Sequence, residues 1–277
     1  MPLNWKHRQA RAARLADTHP VAAELLSVYR EVLTKQEAVA EVATRSAWTL
    51  DAPTGVDRKQ SRAFARFVRD VSRVVTPVLT VVGERLCAGE PSSESVLDAF
   101  LRRESLQEAA DGLRCEPLAL EFFPRAFVQP VAEVVVARAT GATGESAGDG
   151  SFSADQIARH CPACGRPPQV SVLRDDAEVR GQRWLVCSLC ESEWVYPRST
   201  CPRCGEVDAK KLGHHVSDSW PHLRVEECET CRTYHKALDL RIDGAALPMV
   251  DDVASVELDL WATERGLEKL QVHLLGL

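Results

Sequence analysis

The chain has 277 residues, 45% hydrophobic and 27% charged, with a formal net charge of −6. This is the composition of a globular protein with material for a core, at a length that suits about two domains. The acidic balance gives no general attraction to nucleic acid or to an anionic membrane surface.

The basic start "MPLNWKHRQARAAR" runs into "LADTHPVAAELL" rather than an unbroken apolar core with a cleavage site, so it reads as a solvated helix face and not a signal sequence. No run of about 18 apolar residues is present to span a membrane. The expected location is the cytoplasm.

Residues 1–140 read as an all-helical domain. In "VAAELLSVYREVL" the residues Val21, Leu25, Val28, Tyr29, Val32 and Leu33 follow a helical rhythm. A second run, "SRAFARFVRDVSRVVTPVLTVVGERL", places Phe64, Phe67, Val68, Val71, Val74, Val75 and Val78 on one side, with Pro77 expected to kink or split it. "PSSESVLDAFLRRESLQEAA" opens with a capping serine and glutamate, and "PVAEVVVARA" puts Pro130 where a first-turn proline would stand. These stripes predict an ordinary bundle core. Two lone cysteines, Cys87 and Cys115, stand in apolar surroundings and read as buried structural thiols.

Residues 141–150, "GATGESAGDG", hold four glycines and no large apolar side chain, which predicts a flexible linker. Beyond it come cysteines and short β-rich runs such as "QVSVL" and "RWLVC". The last segment, "DDVASVELDLWATERGLEKLQVHLL", returns to helix, and Asp251 and Asp252 at its start suit the positive end of the helix dipole.

Eight of the ten cysteines form four Cys-x-x-Cys pairs. Cys161/Cys164 is followed by 22 residues, Cys187/Cys190 by 10, and Cys201/Cys204 by 23 before Cys228/Cys231. "CPACG" and "CPRCG" share one form, "CSLCE" and "CETCR" another; the members of each kind lie 40 and 41 residues apart. That is a unit occurring twice. A repeat binds its metal within the unit, so Cys161, Cys164, Cys187 and Cys190 form one predicted site and Cys201, Cys204, Cys228 and Cys231 the other. A cross-brace or a nested arrangement would use the same eight thiols without respecting the repeat. The spacing is that of tandem zinc ribbons. Gly165 and Gly205 follow the lead pairs where a positive φ turns backbone N–H groups toward sulfur. Glu191 and Arg232 stand at the same places in the second pairs, where the sequence offers no explanation for them.

Tetrahedral ligation by four sulfurs suits zinc or a single iron, and spacing does not choose between them. Four thiolates fill a site and leave no position for water or substrate, against hydrolytic metal catalysis. His160, His214, His215, His222 and His235 are not needed as ligands and are expected at the surface or behind the ligands. No Ser/His/Asp set, phosphate loop or carboxylate dyad with supporting context is visible, which predicts a protein that is not an enzyme. Tandem ribbons can bind nucleic acid, but acidic and basic residues balance between Cys161 and Leu240. Each divalent ion in four thiolates adds about −2, so the module is acidic and phosphate binding wants the reverse. Trp184, Trp194, Trp220 and Tyr234 are expected to pack against the hairpins rather than stack on bases.

Together, "CPACGRPPQVSVLR", "LVCSLCESEW", "CPRCG", "ECETCRTYHK" and "DDVASVELDLWATERG" resemble the formate dehydrogenase accessory protein FdhE family. The resemblance covers residues 161–266 and the helical half in character only. It implies a cytoplasmic maturation factor that contacts the catalytic subunit of a molybdenum- or tungsten-dependent formate dehydrogenase. It also implies rubredoxin-like sites with iron at the eight cysteines, zinc being the alternative. The expected architecture is thus α+β: a helical bundle over 1–140, a linker over 141–150, a first rubredoxin-like ribbon over 151–200, and a second over 201–277 with a C-terminal helix. A rubredoxin-like electron carrier and a generic zinc-ribbon scaffold are the competing classes; oligomeric state has no signature in the sequence.

Overall fold

The computed structural model describes residues 4–50, 56–89, 91–141 and 158–276. By contact density the chain divides into two compact units, one of residues 1–9, 27–143 and 274–276, the other of residues 10–26, 144–273 and 277. The linker expected at 141–150 lies, apart from Gly141, outside the described residues.

The first unit is helical. It holds the start of α1 (Trp5–Thr18), most of α2 (Ala23–Thr44), then α3 (Arg58–Val71), α4 (Pro77–Ala88), α5 (Ser93–Arg102), α6 (Gln107–Leu113) and α7 (Pro117–Ala139). Asp57 caps α3 by accepting from the backbone N–H of Lys59 and Gln60, and Ser92 caps α5 by accepting from Ser95. Pro77 splits the long apolar run as expected, at the first turn of α4. The split resets the phase of the buried stripe. Phe64, Phe67, Val68 and Val71 face the core of α3, then Leu79, Val82 and Leu86 that of α4. Val78, expected inward, is 67% exposed, and Cys87, one position round from Leu86, is exposed with it. Cys115 is half-buried; neither lone thiol is the buried group the sequence suggested. Val21 is likewise exposed, because α2 begins two residues later and buries Leu26, Tyr29, Val32 and Leu33.

α7 is buried all round from Phe122 to Val134, which makes it the helix on which this unit is assembled. Phe127 lies at its centre, 5.3 Å from Phe64, 5.7 Å from Phe67 and 5.9 Å from Trp48 between ring centroids. Pro130 is not the start of a helix but sits inside α7, as does Pro124. A proline here cannot donate to the carbonyl four residues back, which for Pro130 is that of Ala126. The buried Gln36 on α2 takes the vacant role: its Nε2 donates to the Ala126 carbonyl at 2.9 Å and to Gln129 Oε1 at 3.2 Å. Gln36→Leu removes that donor and leaves a buried carbonyl unmatched. We expect it to lower stability by about 1–3 kcal/mol in chemical denaturation, and a loss under 0.5 kcal/mol would count against this role of Gln36.

The second unit is a mixed sheet built of β1 (Pro168–Arg174), β2 (Gln182–Cys187), β3 (Glu193–Val195), β4 (Leu212–Ser217), β5 (Trp220–Cys228) and β6 (Thr233–Asp239), in the order β3-β2-β1-β6-β5-β4. A short β7 (Glu268–Lys269) pairs with β6. Each half of the order is an antiparallel meander, and β1 and β6 join the halves in parallel, Val172 opposite Leu238. The two ribbons are therefore two copies joined head to tail in one sheet. Burial along both joining strands is almost unbroken, as a parallel pair covered on both faces requires. Trp184, Trp194, Trp220 and Tyr234 are all buried against this sheet.

The C-terminal helix is two: α8 (Pro248–Ala254) and α9 (Val256–Glu264), hinged at Ser255. Asp251 and Asp252 are fully buried and do more than cap a dipole. Arg11, from the part of α1 in this unit, donates from Nε to Asp251 at 3.0 Å, and His222 Nε2 lies 2.9 Å from the same carboxylate. Asp252 faces Lys236 at 3.1 Å and Lys269 at 2.9 Å, while Asp259 faces them at 2.7 and 3.0 Å. Lys236 also donates to the carbonyls of Asp252 and Ser255, so its ammonium is fully matched although wholly buried. Burial alone would raise the Asp252 carboxyl; Lys269 and Lys236 beside it outweigh that and hold it below the usual carboxylate range. Lys236→Met leaves two buried carboxylates facing one ammonium. The expected cost is about 3–5 kcal/mol in denaturation, and a variant as stable as the parent would show that the network contributes nothing.

Candidate metal centres

Each Cys-x-x-Cys pair sits on a tight turn that the backbone closes on itself. In the lead turns, Cys161 N–H donates to the Arg166 carbonyl at 2.8 Å and Gly165 N–H to the Cys161 carbonyl at 2.7 Å; Cys201 to Glu206 and Gly205 to Cys201 repeat the pattern at 2.9 and 3.0 Å. In the second turns, Cys187 N–H donates to the Ser192 carbonyl at 3.0 Å, and Cys228 pairs with Thr233 across β5 and β6. The residue after the second cysteine has positive φ in all four turns: 69° at Gly165, 54° at Glu191, 82° at Gly205 and 57° at Arg232. The turn geometry is thus the same with or without glycine, at a strain cost of about 1 kcal/mol for a side chain. At Arg232 the structure supplies a reason for the side chain, since its guanidinium donates to the Arg265 carbonyl at 2.6 Å and so fastens the turn to the end of α9.

The sulfurs converge as the repeat predicts. The Sγ atoms of Cys161, Cys164, Cys187 and Cys190 lie within 4.8 Å of one another, and so do those of Cys201, Cys204, Cys228 and Cys231. Across the turns, Cys161 and Cys190 are 3.6 Å apart and Cys164 and Cys187 3.3 Å; the second set has 3.8 Å for Cys201 to Cys231 and 3.6 Å for Cys204 to Cys228. A tetrahedron of sulfurs about 2.3 Å from a metal has edges of about 3.8 Å, so both sets fit a single ion, and all eight cysteines are free of disulfides. Backbone N–H groups of Leu189 and Arg203 point at Cys187 and Cys201 at 3.4 Å.

Electrostatics asks for a cation in both places. Hydrogen bonding among the thiols splits the first set, pushing Cys187 and Cys190 up and holding Cys161 and Cys164 down. In the second, burial pushes Cys201 up to about 12 while Cys231 lies below the usual thiol value. Four thiols at this spacing cannot all ionise unless a positive ion takes up their charge. The donor set is soft and closed, which suits zinc or iron and offers no place to a substrate.

None of the five histidines joins a sulfur set. His160 and His214 are exposed as expected, but His222 and His235 are buried, each held by a carboxylate. His222, Asp243 and Asp251 would also have room for an ion, yet the Arg11 guanidinium already supplies the positive charge there, 2.8 Å from Asp243. Sequence reasoning missed Arg11, Lys236 and Asp259 as partners; only the spacing of Asp252 and Asp259, two turns apart on a helical segment, hinted that one face carried charge inward.

Because each set is complete in itself, damage to one should spare the other. In the Cys164→Ser, Cys187→Ser double variant we expect about half the metal of the parent chain, measured by elemental analysis; loss of nearly all of it would favour a cross-braced arrangement.

Residues 160–198 match a family described as FdhE, central domain, and residues 199–275 one described as FdhE, C-terminal domain. A Protein FdhE homolog of Aquifex aeolicus is 40% identical over 117 residues, which are 42% of this chain and 41% of the relative. A Protein FdhE homolog of Pseudomonas aeruginosa is 37% identical over 119 residues, 42% of this chain and 38% of the relative. The match thus spans about two fifths of each relative's own length. The crystal structure of the FdhE protein from Pseudomonas aeruginosa has the same fold, with a TM-score of 0.66 at 24% identity over 98% of this chain and 95% of that one.

Proposed function

We propose that the protein is an accessory factor in the maturation of formate dehydrogenase, a reading supported by the match of residues 160–275 to the FdhE central and C-terminal domain descriptions. The observation that supports this best is the pair of closed four-cysteine centres in a single sheet. Closed centres serve binding or electron transfer, not turnover at the metal. The reading is therefore of a protein that is not an enzyme and that contacts the catalytic subunit of its client in the cytoplasm. No helix among the described residues is long and apolar enough to cross a membrane.

Cys161, Cys164, Cys187 and Cys190 hold one iron and Cys201, Cys204, Cys228 and Cys231 the other. Iron in four thiolates supplies a one-electron couple, whereas zinc in the same place would make the ribbons structural only. The chain's own part is to hold the sulfurs in place: backbone N–H groups at Leu189 and Arg203 offset thiolate charge, and the strands between the turns fix their separation. The helical unit helps to hold the client, and the ribbons present a rigid or redox-competent face to it.

The test is co-purification. Tagged full-length chain, expressed with the formate dehydrogenase of its own host, should retain the catalytic subunit, and deleting the chain should lower formate oxidation in that host at least about tenfold, the scale of a lost assembly step rather than a tuned one. A host that keeps full formate oxidation without the chain, and a client that never co-purifies, would overturn the proposal.

A further inference from the structure

Beside the second sulfur set lies a cavity of about 300 Å³ for which the maturation reading has no use. It opens at the junction of the two ribbons, and Cys201 and Cys228 are among its walls. Its lining carries four arginines, Arg183, Arg198, Arg203 and Arg224, against two glutamates, Glu226 and Glu227. Such a surplus is unexpected in a chain of net charge −6.

The four arginines are not equally occupied. Arg183 and Arg224 stand at the same place in the repeat, four residues before Cys187 and Cys228, and share one carboxylate: Glu226 lies 2.9 Å from Arg183 and 2.8 Å from Arg224 Nε. Arg183 is only 2% exposed, and its Nη1 donates to the carbonyls of Pro197, Arg198 and Thr200 at 3.2–3.3 Å. Its Nε, equally buried, has no hydrogen-bond partner. That N–H is sealed from the cavity as well as from solvent, so Arg183 shapes the wall without offering a hydrogen bond to an occupant. Arg198 pairs with no acidic group among the described residues, and Arg203 reaches only Glu268 at 3.8 Å, both well exposed and so weakly coupled. Glu227 is turned to His215, 3.3 Å away.

Two guanidinium groups without a firm counter-ion match the two negative charges of a phosphate monoester, and their forked N–H groups match its oxygens. The volume is that of about ten waters, so it has room for a small organic body as well as the phosphate. We propose that this cavity binds a small molecule through a phosphate group, held by Arg198 and Arg203. The anion would sit beside a thiolate centre, which repels it; the surplus of arginine is what makes the place tenable. Neither member of the repeat can provide such a site alone, because its walls come from both ribbons.

The probes are inorganic phosphate and glycerol phosphate, measured by equilibrium dialysis on the metal-loaded full chain at fixed ionic strength, with acetate as competitor. We expect saturable uptake of about one phosphate per chain, glycerol phosphate bound at least as tightly as phosphate, and acetate a weak competitor. The Arg198→Ala, Arg203→Ala double variant should bind at least about tenfold less tightly, the loss of one or two charge-assisted hydrogen bonds. Both side chains are exposed, and alanine at 203 keeps the backbone N–H that points at Cys201. Metal content and thermal midpoint, measured alongside, should match the parent, and Arg198→Ala alone, away from that turn, should also weaken binding. No saturable uptake would mean that the arginines only offset the thiolate charge, and would overturn the proposal. Uptake unchanged in the double variant would overturn it too, and so would acetate competing as well as phosphate, which would make the cavity a carboxylate site.

Discussion

Four thiolates within 4.8 Å of one another repel, and only a cation among them makes that arrangement a minimum. The requirement arises twice in the second unit of the chain. The turns that carry the cysteines are closed by their own backbone hydrogen bonds, but these bonds leave the charge of the sulfurs unmatched. The backbone bonds around each turn fix the direction of the sulfurs, and a bound ion would supply the charge they lack.

The second constraint is the seam between the ribbons. Joining the copies head to tail brings β1 and β6 side by side and buries them on both faces. Gln169 and Ser171, on what would be the polar face of a lone hairpin, then need partners within the protein: Gln169 Nε2 donates to Asp252 at 2.7 Å, and the Ser171 hydroxyl lies 3.4 Å from His235. The Lys236, Lys269, Asp252 and Asp259 cluster continues the same layer and fastens α8 and α9 over the sheet. A buried ionic network is weak evidence for stability against an apolar alternative. Its value here is in orientation, because each charge has one set of partners and hence one position of the helices.

Much of this was legible in the sequence. The 40- and 41-residue recurrence of two kinds of turn told which cysteines belong together, because a repeat fixes partners without any contact being known. The helical half was legible as helices, and Pro77 as a break. What the sequence did not disclose depended on partners distant in the chain. Pro130 looked like a helix start until Gln36, 90 residues from Ala126, took the place of the missing donor. Val78 and Cys87 were misplaced because the break at Pro77 shifts the phase of the stripe. His222 and His235 read as residues at the surface or behind the ligands and Lys236 carried no signal; only the carboxylates that meet them in space make their burial tolerable. Parallel pairing of β1 and β6 leaves no local mark at all, since neither strand is joined to the other by a turn.

The claim on which the rest depends is that the eight cysteines hold two ions, each within its own repeat. Its most direct test is metal content combined with X-ray absorption at the metal edge, on chain purified without oxygen. The account predicts two ions per chain, each with four sulfur neighbours at about 2.3 Å, and with iron a red colour that bleaches reversibly on reduction. One ion per chain, or a shell in which nitrogen or oxygen replaces sulfur, would contradict it.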